Sequence, residues 1–518
     1  METFEGALGT NRAKKYQSKS WRAGVAILVS ASMVFAVSTA ATSHAAGEPT
    51  GRLIIANAEP ISAAYYDPAS AFGLVDAQLA SLVFDSVLTM DKNGKIGLGL
   101  ASSYKVVSST EVDLVIRSGV KFQDGSALTP ADVAGSINRL FDPKSKLAFA
   151  LMGAPGLATV SGDTVKVVTD KPFGPLLHSL AVIAILPMKD INSPDNWKIK
   201  PTGTGPYSFV SNANNDITVT ANATYWGVKP HIKTIILRYI EDSQARQSAL
   251  VTGQVDISTR VGPVELAGVK RNKNFNVVTK AGPPSQIIQL WRDNGPLKNV
   301  KVRQALEFAI DRSAIAKTIQ GGMNRIPYNG MPTNMPFYKA ASERYRYNPT
   351  KAKALLKSAG YSGNLTLTMS TSTLVPKQAE IDQAIIGYLS AIGVKVKVTK
   401  LEVGKFRTTY GDYDISLNTI ATFNDDPSFS LGLYGGGIGK AIFGWTNPTY
   451  DALFAAQRDV TGPARAAAVN AAQTYLWKNA RTLWLSDENW VYIVNKRVSG
   501  YQRAPLVGEP LITTASVK

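Results

Sequence analysis

The sequence predicts an α/β protein with at least two lobes. Three observations carry that prediction. Strand-like and helix-like stretches alternate along the chain, separated by short Gly/Pro breaks. Residues 364–398 hold a strand–helix–strand unit, which favours two parallel strands joined by a right-handed crossover. The chain has 518 residues, and a single hydrophobic core stops growing at about 250–300.

The first element is a leader. Arg12, Lys14, Lys15, Lys19 and Arg22 precede the apolar run "AGVAILVSASMVFAV" (23–37), and small residues follow it. Ser43 and Ala45 stand where a signal peptidase reads small side chains, so residues 1–45 match a cleaved secretory signal. A retained membrane anchor fits less well, because a spanning helix needs about 20 apolar residues. Removing 45 of 518 residues leaves 473, enough for two or three domains. The leader takes five Lys/Arg and two Asp/Glu with it, which lowers the net charge from +18 to +15. The chain has no cysteine, so the exported product is neither stapled by disulfides nor lipid-anchored. A periplasmic location, between two bacterial membranes, is the expectation.

"RLIIANA" (52–58) reads as a buried strand running into the loop "EPISAAYYDPAS". "VDLVIRSGVKF" (112–122) reads as a strand and turn, then "DGSALTPADVAGSINRL" as a helix. Thr129 can cap that helix while Pro130 takes its first position. Val133, Ile137 and Leu140 give it a buried stripe. Asn299 can cap the next strong helix, in which Val302, Leu306, Ala309 and Ile310 share a face. "NLTLTMST" (364–371) alternates, "KQAEIDQAIIGYLSAIG" (377–393) is helical, and "VKVKV" (394–398) alternates again. "YDISLNTI" alternates through Ile415 and Leu417. Pro463 opens a helix with Val469, Ala472 and Leu476 inward, and "VYIVN" (491–495) is a last strand.

Positive charge does not imply nucleic acid here. The Lys and Arg are scattered, as in "KVKVTK" (395–400), and form no basic stripe with interleaved aromatics. "YGGGIGKA" (434–441) fails the phosphate-loop pattern at Tyr434 and Ala441. After the leader only His178 and His231 remain, with no thiolate, so no zinc set is visible, and no cofactor is expected. There is no "GxSxG".

The acids of "ISLNTIATFNDDPSFS" (415–430) lie just past a strand end. Asp425 and Asp426 are adjacent, so on an extended segment they point apart, which suits neither a glycosidase pair nor a shared-proton dyad. A turn is the plain reading, since Asn, Asp and Pro are turn formers, and a turn can also present ligand groups.

Several stretches in order resemble the bacterial solute-binding proteins of ABC importers, of the peptide/nickel/opine-binding type. They are "LVFDSVLTMDKNGKIGLGLASSYKV" (82–106), "RSGVKFQDGSALTPADVAGSINRLFDP" (117–143), "PTGTGPYSFV" (201–210), "YWGVKPHIKTIILRYIEDSQARQSALVTGQVDIS" (225–258), "GPLKNVKVRQALEFAIDRSAIAK" (295–317) and "YNPTKAKALLKSAGY" (347–361). The resemblance implies a two-lobed periplasmic-binding-protein architecture, with an extra subdomain in the first lobe and a hinge crossed twice. On that pattern lobe I is 46–285 plus 490–518, its subdomain about 80–195, and lobe II 286–489. The crossings fall around 282–290 and near Asp487–Trp490.

It also implies the function: a non-enzymatic, monomeric receptor that encloses a small solute and delivers it to membrane permease subunits. A short peptide is the first expectation; an opine, a sugar or chelated nickel follow. In peptide-binding members the segment after this strand carries an Asp that pairs with the peptide amine. Counting back from Pro427 puts that position at Phe423, a departure unless Asp425 or Asp426 takes over the role, and Phe423 and Asn424 remain candidate ligand contacts. Position also nominates Tyr65, Tyr66 and Asp67 after the first strand, and Trp291 and Arg292 after the first crossing, where Arg292 could pair with a carboxylate. The rival classes are an exported peptide or glycan hydrolase and a chaperone-like binder of unfolded chains.

Overall fold

The computed structural model describes residues 48–58, 74–91, 95–142, 155–191, 200–290, 295–373, 375, 377–421, 426–435, 447–501 and 514–518. The leader lies outside the described residues. Among them, no helix is long and apolar enough to cross a membrane.

β1 (Thr50–Asn57) starts the main sheet. Its consecutive apolar residues are buried on both faces: Leu53 and Ile55 enter one core, Ile54 and Ala56 another. A strand covered on both sides reads as a continuous apolar run for this reason. The helix Leu74–Val83 and the hairpin β2 (Leu88–Met90) and β3 (Ile96–Leu98) follow.

β4 (Ala101–Ser108), β5 (Glu111–Ile116), β6 (Gly156–Ser161) and β7 (Thr164–Thr169) form an antiparallel sheet in the order β4-β5-β7-β6. The helix Pro130–Phe141 joins them, with Val133, Ile137 and Leu140 buried as the spacing predicts. Thr129 closes a capping box with Asp132, whose carboxylate accepts the Thr129 N–H at 2.7 Å. The short helix Leu176–Leu180 completes this unit.

β8 (Tyr207–Ala213), β9 (Asp216–Ala221), β10 (Ile232–Tyr239), β11 (Ile257–Ser258), β12 (Phe275–Leu290), β13 (Leu365–Thr371), β14 (Val394–Lys400), β15 (Ile415–Ala421) and β16 (Thr482–Asn495) join β1 in a ten-stranded sheet. Its order is β14-β13-β15-β12-β16-β11-β1-β10-β9-β8. A small pair, β17 (Val498–Ser499) and β18 (Ser516–Val517), ends the chain. The strand–helix–strand reading holds: β13 and β14 are parallel, in register from Leu365↔Val394, with the helix Gln378–Ala391 between them. Lys395 and Lys400 on the outermost strand are exposed, which blunts an open sheet edge.

The last strand is longer than the sequence suggests. It begins at Thr482, not at 491. "SDEN" (486–489) looks like a break, yet Ser486, Asp487 and Glu488 are buried inside the strand. β12 and β16 run antiparallel along their whole lengths, and their register shifts between Ala281 and Ser285. On one side of that shift they neighbour β11; on the other, β15. Two cores are separate, one around Leu53, Tyr207 and Ile235, the other around Leu306, Leu367 and Ile381, while a third gathers Phe173, Leu176 and Leu180 with Phe429, Leu431 and Phe454. The architecture is therefore α/β and two-lobed, with two long strands shared between the lobes.

Candidate functional site

Strand direction locates the site. β11 runs towards the register shift, since Ile257 pairs with Val494 and Ser258 with Ile493. β15 runs towards it from the other half, from Ile415 opposite Leu290 to Ala421 opposite Pro284. The carboxyl ends of strands from both halves thus converge, which is where α/β sheets place ligands.

A cavity of about 120 Å³ lies there. That exceeds the ~10–15 Å³ needed by one water, so it has room for a solute group. Arg260 and Gly262 line it from the end of β11, Gln320 and Asn324 from the turn after the helix Arg312–Thr318, and Lys377 from the start of the helix Gln378–Ala391. Gln286, Glu488 and Trp490 form its floor on the shared strands.

The floor is a hydrogen-bonded relay. Gln320 donates to Gln286 Oε1 at 2.7 Å, and Gln286 donates to Glu488 Oε1 at 3.0 Å. Glu488 Oε2 faces Arg260 Nη2 at 3.7 Å. Arg260 has φ +52, a left-handed conformation uncommon for a residue with a Cβ. Strained backbone of this kind concentrates at ligand clamps. Beneath the floor, Asp487 accepts from Ser285 Oγ at 2.6 Å and from Thr333 N and Oγ1 at 2.7 and 2.6 Å. Burial raises its pKa even so, against the hydrogen bonds that favour its charge.

The structure places one of the nine residues nominated from sequence. Asp426 is the N-cap of the helix Pro427–Gly432 and accepts the Ser428 N–H at 2.8 Å. It is 1% exposed and its Oδ1 receives Arg465 Nη2 at 2.6 Å. Burial would raise its pKa, but the Arg465 charge and hydrogen bond outweigh burial and hold the carboxyl below its usual range. Its Oδ1 is spent on the protein. Tyr65, Tyr66, Asp67, Trp291, Arg292, Phe423, Asn424 and Asp425 lie outside the described residues.

Sequence reading missed Arg260, Gln286, Gln320, Lys377 and Glu488. A signal existed for two of them: "STRVGP" puts Arg260 between a strand and a proline, and "SDENW" puts acids inside an apolar strand. Among the described residues no group of His, Cys, Asp and Glu is placed to hold a metal ion.

Residues 95–441 match the family model for the middle region of bacterial extracellular solute-binding proteins, family 5. The glutathione-binding protein GsiB of Pectobacterium atrosepticum is 27% identical over 458 residues, covering 85% of this chain and 88% of its own length. Two solved structures share the fold. The periplasmic binding protein DppA of Helicobacter pylori, in complex with the peptide STSA, superposes with a TM-score of 0.79 at 24% identity, over 90% of this chain and 98% of its own. PBP AgaA from A. tumefacien R10, in complex with agropinic acid, gives 0.78 at 24% identity, over 90% and 99%.

Proposed function

From the premise that this chain belongs to the bacterial extracellular solute-binding proteins, family 5, we propose that it is the periplasmic binding component of an ABC importer, taking a short peptide-like solute. The cavity carries this reading: its lining includes Glu488, which faces Arg260, and Lys377, which pairs with Glu380 at 3.1 Å, a mixture of signs that suits a ligand with both amine and carboxylate. The relative named for glutathione, itself a small peptide, supports the same ligand class.

In this reading lobe I comprises 46–285 and 490–518, with a subdomain at about 80–195, and lobe II comprises 286–489. The candidate ligand contacts are Tyr65, Tyr66, Asp67, Phe423, Asn424 and Asp425, with the two lobes closing around the ligand. Asp425 takes the amine, and Trp291 and Arg292 are further contacts. The protein acts as a monomer without turnover, secreted by cleavage near Ala45 and not lipid-anchored, and hands its ligand to membrane permease subunits. Such closure about a hinge is a recurrent mode of ligand capture.

The test is to purify the chain from its native periplasm, denature it, and identify released small molecules by mass spectrometry. A peptide at a stoichiometry near one supports the reading. A single non-peptide solute keeps the receptor and changes the ligand class. A peptide or glycan cleaved by the purified protein would overturn it in favour of a hydrolase.

A further inference from the structure

A second polar cluster lies outside the cavity, between residues 173–178 on one side and residues 426–428 and 458–465 on the other. Gly174 N–H donates to Arg458 O at 2.6 Å. The Arg458 guanidinium sits 5.1 Å from the Phe173 ring centroid, in cation–π range. His178 Nδ1 lies 3.8 Å from Asp426 Oδ2. On the far side Arg465 Nη2 bonds Asp426 Oδ1 and reaches Ser428 Oγ at 3.1 Å. A methyl group on Gly174 would meet Val460 O at 2.8 Å, Arg465 Nε at 3.1 Å and Arg458 O at 3.3 Å, all atoms of the opposite segment.

We propose that this seam is a reversible closure contact, and that Gly174, His178 and Arg458 are positioning residues that set ligand affinity without touching the ligand. The inference rests on the division into lobes given above, which puts 173–178 in the subdomain of lobe I and 426–428 and 458–465 in lobe II. A ligand that binds only the closed form has its affinity scaled by the closed population, so a contact made only on closure acts on affinity directly.

The seam also responds to protons. The charged groups facing His178 are Asp426 and Arg465, with Arg458 acting on Asp426. Burial in the seam lowers the His178 pKa; Asp426 opposes this and Arg465 reinforces it. Arg465 already neutralises Asp426, so the closed seam keeps His178 uncharged. An open seam returns the imidazole to water and to a pKa of about 6.5. Closure is then fully supported above that value and weakens as pH falls through it.

The absence of native cysteine allows a clean distance measurement. Lys171→Cys and Thr461→Cys place spin labels on exposed positions flanking the seam. Their separation is measured by pulsed electron resonance on the unliganded protein, from about pH 8 to about pH 5.5. Two populations are expected, with the short-distance fraction falling as pH drops. His178→Gln should flatten that pH response. Gly174→Ala should deplete the short distance at every pH, because its added methyl has no room only when the seam is shut. One short distance under all conditions and in both variants would make the seam static packing and overturn the proposal. One long distance throughout would overturn it too. Both results are independent of whether a solute is released from the native protein, which tests the receptor reading.

Discussion

Arg465 holds Asp426 by a 2.6 Å charge-assisted hydrogen bond, with both residues at most 5% exposed. Removing one partner from such a buried pair leaves an uncompensated charge and costs about 3–5 kcal/mol. Arg465→Met is therefore expected to lower unfolding stability by that order, read from the urea midpoint at neutral pH. Asp426 has a folded pKa below its unfolded one. Its contribution is present above the unfolded value of about 3.9 and is lost as pH falls through the folded value. The gap between the parent and Arg465→Met should accordingly shrink in acid.

The neighbouring acids Asp425 and Asp426 should separate by phenotype. Asp426→Asn weakens the Arg465 pair and is expected to lower stability. Asp425→Asn is expected to leave the urea midpoint unchanged and to weaken peptide-ligand binding at least about tenfold, or about 1.4 kcal/mol, by isothermal titration. Unchanged affinity in a folded Asp425→Asn protein would remove that residue from the site.

A third acid is set for the opposite pH response. Asp382, buried near the end of β13, has its pKa raised to about 7 by burial, against the Thr371 hydroxyl that donates to it. Its Oδ1 has no hydrogen-bond partner. A folded pKa above the unfolded one means that stability is full below about pH 4 and is lost as pH rises towards about 7. Asp382→Asn keeps the shape and cannot ionise. Relative to the parent it should be near neutral at about pH 4 and stabilising by on the order of 1–3 kcal/mol at about pH 8. Melting temperatures at both pH values check this, and equal shifts would contradict it.

How much of this was legible follows from the range of each interaction. The Thr129 and Asn299 caps depend on residues within three positions, and the parallel pair 365–371 with 394–400 on a single intervening helix, so the sequence displays them. The hinge relay joins Arg260, Gln286, Gln320 and Glu488, brought together only by the sheet order. Asp426 shows the same limit: turn chemistry correctly marks a chain reversal into a helix, but its partner Arg465 is 39 residues away. The sequence shows only the end of β16, because buried polar residues inside a strand look like a loop until their partners are known.

Arg260 yields a prediction in which stability and binding move apart. Its φ of +52 suits glycine better than any side chain with a Cβ. Arg260→Gly removes backbone strain but adds freedom to the unfolded chain, so its net effect on stability should lie within about 1 kcal/mol of zero, on the favourable side of Arg260→Ala. Both variants remove the guanidinium from the cavity and leave Glu488 bonded to Gln286 alone on the cavity floor. If Arg260 receives a ligand carboxylate, both should lose at least about tenfold in affinity, since such charge-assisted contacts are the strong ones. Amidation of that carboxylate should then weaken binding to the parent and leave the variants nearly unaffected. An equal response to amidation in all three proteins would move the carboxylate to another cation, with Lys377 the next on the cavity wall.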